Sequence, residues 1–250
     1  MGCVVALSFS SFLVWLSGQY TVPIMMYHNV EAVDPHEANW VSPERFAWHM
    51  DYLKKHRYNV IRLEDLVAAI SQNKPLPRKS VVITFDDGYV NNYTNAYPVL
   101  KKYQFPATIF IPPGKLDKDG FVSIAQLREM ADNGFDIGSH TVDHAYLPTE
   151  SKEFQQDQIA NSKLILERLL GIKISLFAYP IGGFSDLTKQ LLKESGYEAA
   201  CTTNRGFDRL NKDLFELKRI RFSDQDNRTD YLWSKLSGYY NIFRKLKPSY

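Results

Sequence analysis

Val81-Val82-Ile83-Thr84-Phe85-Asp86-Asp87-Gly88-Tyr89 sets two adjacent carboxylates at the end of a short, apolar, β-branched run. A run apolar at successive positions reads as a strand buried on both faces, the kind that parallel sheets contain. Gly88 breaks that strand, which puts Asp86 and Asp87 at its C-terminal lip, where the loops of an α/β barrel build active sites. Side chains alternate along a strand, but the chain turns at the lip, so neighbouring carboxylates can converge on one metal or one water. An Asp-Asp-Gly turn that merely caps the next helix has the same letters, and the rest of the chain decides between the two.

Upstream, Val22 to Val30 reads as a first buried strand, with Pro23 at its entry and His28 near its C-terminal end, at the same end of the sheet as the aspartates. Ser42-Pro43-Glu44 opens a helix, with Ser42 as N-cap and Pro43 in the first turn. His49 and His56 on that helix read as packing or surface residues. Downstream, strands are expected near 59–63, 107–111, 135–140, 174–179, 198–202 and 217–222, separated by helices of ordinary length. Such alternation means a parallel sheet with right-handed crossovers, and a TIM-barrel-like (β/α) barrel of about seven parallel strands is its natural closure. No repeat or linker interrupts residues 22 to 245, so 21–250 reads as one domain.

With 30 basic and 28 acidic residues the formal charge is +2, which gives no case for nucleic acid. Two cysteines, Cys3 and Cys201, make no disulfide framework. Cys3 to Leu16 is an almost uncharged apolar run closed by Ser17-Gly18-Gln19, shorter than the ~20 residues a membrane span needs. Residues 1–20 therefore read as an export signal or anchor, although the segment lacks a basic start. An exported chain, either cell-envelope associated or released, anchored or not through this segment, is the expectation.

Two further stretches carry chemistry. Ser139-His140-Thr141-Val142-Asp143-His144 holds two histidines four apart where a strand ends. If the chain turns there, both imidazoles can face one ion, and with one carboxylate they form a facial set with open positions, suited to a catalytic divalent metal with zinc as the first choice. Phe177-Ala178-Tyr179-Pro180-Ile181-Gly182-Gly183-Phe184 is a strand ending in a Pro- and Gly-rich turn at the same lip, whose amides can stabilise an oxyanion.

Together, Thr84-Phe85-Asp86-Asp87-Gly88, Ser139-His140-Thr141-Val142-Asp143-His144 and Phe177-Ala178-Tyr179-Pro180-Ile181-Gly182 resemble, in order and separation, the polysaccharide deacetylases of carbohydrate esterase family four. The resemblance covers roughly residues 22 to 222. It implies a distorted (β/α) barrel and hydrolysis of N-acetyl groups from an acetylated glycan, with Asp86 as general base, Asp87, His140 and His144 as metal ligands, and Tyr179 as backbone oxyanion donor. The chain departs from the family pattern twice. Phe177 or Ala178 stands where most members have an arginine, which leaves Arg219 or Arg221 to orient Asp86, and no histidine follows His144. The early Tyr27-His28 is similar to the subgroup of biofilm poly-N-acetylglucosamine deacetylases, in which such a pair supplies the catalytic acid, so His28 takes that role by resemblance.

The expected protein is thus a monomeric, metal-dependent N-deacetylase of an N-acetylglucosamine-containing polysaccharide. An O-acetyl esterase acting on xylan or a related glycan is the alternative, since an alkoxide leaves without help from an acid. A catalytically dead glycan-binding barrel would have no need of the ligand set.

Overall fold

The strand register decides which side chains meet at the lip. A computed structural model describes residues 12–32 and 38–250, so Cys3 and most of the expected leader lie outside the described residues. The elements run β1 (Ile24–Tyr27), β2 (Asn29–Val30), β3 (Trp40–Val41), α1 (Pro43–Lys55), β4 (Asn59–Val60), α2 (Leu63–Ser71) and β5 (Ser80–Phe85). A π-helical turn, Asn92–Ala96, then leads into α3 (Tyr97–Tyr103), followed by β6 (Thr108–Ile111), α4 (Ile124–Asp132), β7 (Asp136–Ser139), α5 (Lys152–Leu170) and β8 (Leu176–Ala178). The chain ends with α6 (Asp186–Glu194), β9 (Ala199–Thr202), β10 (Leu217–Lys218), β11 (Ile220–Arg221) and α7 (Thr229–Leu236).

All pairings are parallel, in the order β10-β9-β8-β7-β6-β5-β1-β11, with β4 alongside the start of β5. The two ends of that order are halves of one stretch interrupted at Arg219: Leu217 pairs with Cys201 of β9, and Ile220 pairs with Met25 of β1. That split strand closes the sheet into the expected barrel. Counting it once turns the eight strands of the ring order into seven.

Strand residues fall into two layers. Ile24, Val82, Phe110, Leu176, Ala178, Ala199, Cys201 and Leu217 form an inner cluster plugged by Leu63, Leu66 and Val67 of α2. Their neighbours, such as Met25, Tyr27, Ile83, Phe85, Ile109 and Phe177, face outward onto Phe46, Met50, Leu127, Ile159 and Leu191 of the helices. Each such fully buried side chain contributes about 1.5–3 kcal/mol. Helix ends follow the expected chemistry: Ser42 Oγ accepts the Arg45 N–H over Pro43, and Gly171 closes α5 in the left-handed conformation.

One expectation is corrected. Val22 to Val30 is not one strand, because the chain leaves the barrel at His28 and Asn29–Val30 pairs with Trp40–Val41 instead. The helix that follows β5 opens on the π turn, where Asn92 Nδ2 donates to the His28 carbonyl and Asn95 Nδ2 to the Val30 carbonyl. The result is a strand end bolted to a helix start beside the catalytic lip.

At the N-terminal end, residues 12–17 are helical, and no helix among the described residues is long and apolar enough to cross a membrane. The Thr21 N–H donates to the Gly238 carbonyl at 2.8 Å, and the Tyr20 ring meets Tyr239 edge-on at 5.8 Å.

His56 is exposed, whereas His49 is wholly buried, its Nδ1 accepting from Tyr27 Oη at 2.9 Å and its Nε2 donating to the Asp226 carbonyl at 2.8 Å. Burial lowers its pKa from 6.5 to about 4. Between those values the unfolded chain takes up a proton that the folded ring refuses, so stability is full above pH 6.5 and falls as pH drops towards 4, by about 3 kcal/mol. Urea midpoints at pH 7 and pH 4.5 should show this fall. His49→Gln, which can still reach Tyr27 and Asp226, should flatten it; an unchanged slope would place the acid sensitivity elsewhere.

Candidate active site

Tyr27 pairs with Phe85 in the β1–β5 register, and the Asp86 N–H donates to the Tyr27 carbonyl at 3.0 Å. The next residues on the two strands, His28 and Asp86, are therefore neighbours, with His28 Nε2 3.9 Å from Asp86 Oδ2. Across the barrel, Ile111 pairs with Ser139, and the His140 N–H donates to the Ile111 carbonyl, which sets His140 at the same rim. At this lip the backbone turns sharply: Asp87, Thr141, His144 and Ile181 all have φ between 59° and 72°. Non-glycine residues held there cost free energy and cluster at functional sites. Gly88, with φ 72°, holds a left-handed conformation that strains any other residue, and a Cβ there would lie 2.8 Å from Ile111 Cδ1, so that side chain would have to shift.

The turn at Asp87 separates the two carboxylates. Asp86 points into the barrel and Asp87 towards the histidines, where Asp87 Oδ1 lies 3.4 Å from His140 Nε2 and 3.1 Å from His144 Nε2. All three ligand atoms lie within 4.8 Å of one another. Asp87 Oδ1 is buried without a hydrogen-bond partner, an orphan that a cation would satisfy. His140 Nδ1 donates to the Ala178 carbonyl at 2.7 Å, which leaves the Nε2 lone pair facing the site. Burial alone would raise the Asp87 pKa, but His140 and His144 outweigh it and hold the carboxyl ionised. The donor set thus fits a divalent ion of borderline hardness.

Of the two arginines the sequence left open, Arg219 holds Asp86. Its Nη1 and Nη2 bind Asp86 Oδ1 and Oδ2, each at 2.6 Å, in a bidentate pair. Arg219 is completely buried, over the Phe110 ring, and is fixed further by the Thr202 carbonyl and by Thr84 Oγ1. Burial pushes the Asp86 pKa up, yet Arg219 prevails and keeps it below the usual carboxylate range. His28 is lowered by burial, with Asp86 pulling the other way. Arg221 instead reaches Asn39 at the cleft mouth.

Tyr179 is the site residue whose geometry differs most from expectation. Its N–H donates to the Cys201 carbonyl at 3.0 Å in the β8–β9 ladder, and its phenol donates to the Phe215 carbonyl at 3.0 Å, with the whole residue buried. It supports the lip from behind. Ile181, two residues further on, lines the cleft together with His28, Asp87 and His144. The cleft encloses about 530 Å³. A larger cavity of about 1130 Å³, lined by Val22 and Lys79 just ahead of β1 and β5, contains none of these groups.

A (β/α) barrel whose lip brings one carboxylate and two imidazoles to a point, beside an arginine-held carboxylate and a third imidazole, defines the class of metal-dependent hydrolases. Residues 73–200 match the polysaccharide deacetylase family, and the chain belongs to it. It is 33% identical over 202 residues to the Bacillus subtilis protein YxkH, named as a polysaccharide deacetylase, covering 81% of this chain and 71% of that one. It is 26% identical to the poly-beta-1,6-N-acetyl-D-glucosamine N-deacetylase of Escherichia coli, over 75% of this chain but only 34% of that enzyme's length. Among solved structures, the Streptococcus pyogenes deacetylase PplD in complex with acetate superposes with a TM-score of 0.80 at 30% identity, over 86% of this chain and 97% of that one. The chain is therefore a polysaccharide deacetylase, a hydrolase.

Proposed function

We propose that this enzyme removes N-acetyl groups from an N-acetylglucosamine-containing polysaccharide, with Asp87, His140 and His144 holding a divalent ion, zinc by the borderline character of the set. The observation that carries this is the meeting of those three ligand atoms beside Asp86 and His28. When bound, the ion would polarise the acetamide carbonyl and acidify water. Asp86, ionised by Arg219, takes the proton of the attacking water, and a protonated His28 delivers one to the departing amine. The oxyanion donor passes from Tyr179, whose amide is committed to the sheet, to the Ile181 N–H at the left-handed turn facing the cleft. An amide needs the acid that His28 offers, whereas an acetyl ester would not.

Acetate and free-amine release from a panel of acetylated glycans tests the reading. N-acetylglucosamine oligomers should yield both products in equal amounts. Acetate without amine, from acetylated xylan alone, would show an esterase.

We further propose that residues 1–20 direct export or anchor the enzyme at the cell envelope, leaving 21–250 as the catalytic domain. The exposed Phe12, Leu13, Val14 and Trp15 support this. A chain truncated to begin at Gln19 keeps the Tyr20 and Thr21 contacts and should retain its melting temperature within about 2 °C and its full turnover, because surface changes alter stability by about 0.5 kcal/mol or less. A large drop in melting temperature would mean that the segment packs on the barrel.

A further inference from the structure

Beyond the catalytic groups, the cleft is lined by Arg205, Arg221, Arg244 and Lys247. None of the four has a carboxylate within salt-bridge distance among the described residues. The carboxylates lining the same cleft are already committed: Asp87 to the ligand set, and Asp226 to Lys235 at the cleft wall. Among the described residues the Arg221 guanidinium donates to Asn39, and that of Arg244 donates to the Arg219 carbonyl and Asn241 and lies over the Tyr240 ring. The C-terminal segment is strapped here on purpose-built contacts: Lys247 bridges Arg205 and Gly206, and the Phe184 N–H donates to the Ser249 carbonyl. That strap carries Arg244 and Lys247 to the cleft beside the residue that holds the base.

Four cations lining one cleft with no salt-bridged carboxylate among the described residues form a positive patch that an anionic ligand would complement. Deacetylation turns a neutral acetamide into an amine that is cationic at neutral pH, so a chain already rich in such amines would be disfavoured in this cleft. Resting on the deacetylase reading, we propose that the glycan is acidic: a phosphate or carboxylate group, borne on or next to the acetamido sugar, sits among Arg205, Arg221, Arg244 and Lys247 and sets the enzyme's specificity. Arginine suits either anion, through paired N–H donors.

The test uses the full-length, metal-loaded enzyme and three probes: a neutral N-acetylglucosamine pentamer, the same pentamer bearing a glycerol phosphodiester, and one bearing a lactyl carboxylate. At low salt one of the charged pentamers should be turned over with kcat/KM at least about 10-fold above the neutral one, through KM, and the preference should shrink as salt rises. Which of the two wins identifies the anion. Arg221→Gln and Lys247→Gln, both at exposed positions, should each remove about 5–10-fold from the charged substrate's advantage. Binding of the charged pentamers, read by calorimetry, should fall in parallel and does not depend on turnover. Equal kcat/KM and equal binding for all three pentamers would overturn the proposal while leaving the deacetylase reading intact. Salt-sensitive binding of a charged pentamer without acetate release from any of them would uphold the anion site and sink the deacetylase reading instead.

Discussion

Arg219→Met is expected to lower kcat/KM by about 10²-fold or more, through loss of the bidentate hold on Asp86. In the proposed mechanism Arg219 touches no reacting atom; it positions Asp86, the proposed base. Methionine also leaves a buried carboxylate without its counter-charge, which costs about 3–5 kcal/mol of stability. Because Arg219 lowers the Asp86 pKa, its removal raises that pKa, and a base that must be ionised then works only at higher pH. The acidic limb of the pH profile should accordingly move upward, a change that a general loss of packing would not produce. Adding Asp86→Asn to Arg219→Met should recover part of the lost stability without recovering turnover, since the pair is then neutral. A variant with normal rate and an unmoved acidic limb would remove Arg219 from the account.

His28→Ala should cost about 10²–10⁴-fold in turnover of an N-acetyl glycan while the bound metal is unchanged, because in the proposed mechanism His28 donates a proton and it lies outside the candidate ligand set. The alkaline limb, which belongs to the acid, should flatten. Acetate release from an activated ester, whose leaving group departs unaided, should fall far less. Combined with Asp86→Asn the loss should be much less than the product of the single losses, as acid and base serve one tetrahedral intermediate. If His28→Ala kept its limb, the acid would have to be sought in a metal-bound water or in His36, which lies outside the described residues.

What could be read from the sequence, and what could not, follows from range. Strands buried on both faces announce themselves by composition, and Gly88, Pro180 and the Ser-Pro helix start mark where they end, so the barrel and the rim positions of Asp86, Asp87, His140 and His144 were legible locally. Arg219 was only half legible, because its partner lies 133 residues away and the interruption between β10 and β11 depends on two different neighbours. Tyr179 misled for a related reason. The motif fixes a turn at the lip, but whether a given amide faces the cleft or the next strand is settled by register, which gives the Tyr179 N–H to Cys201. The asparagines at the π turn carried no signal at all, since Asn92 and Asn95 look like ordinary helix-surface residues until the His28 and Val30 carbonyls are placed opposite them. The basic cleft was hidden by the near-neutral total charge, which averages over a surface where Arg205, Arg221, Arg244 and Lys247 converge from separate segments.

The most direct test of the central claim is a metal titration of chelator-treated protein, reading bound ion and acetate release together. The account predicts that turnover is lost with the ion and returns in step as about one equivalent of a divalent cation binds, and that His140→Ala stays folded by circular dichroism yet neither binds the ion tightly nor turns over. Undiminished acetate release from metal-free wild type, or a His140→Ala protein that binds and turns over like wild type, would contradict it.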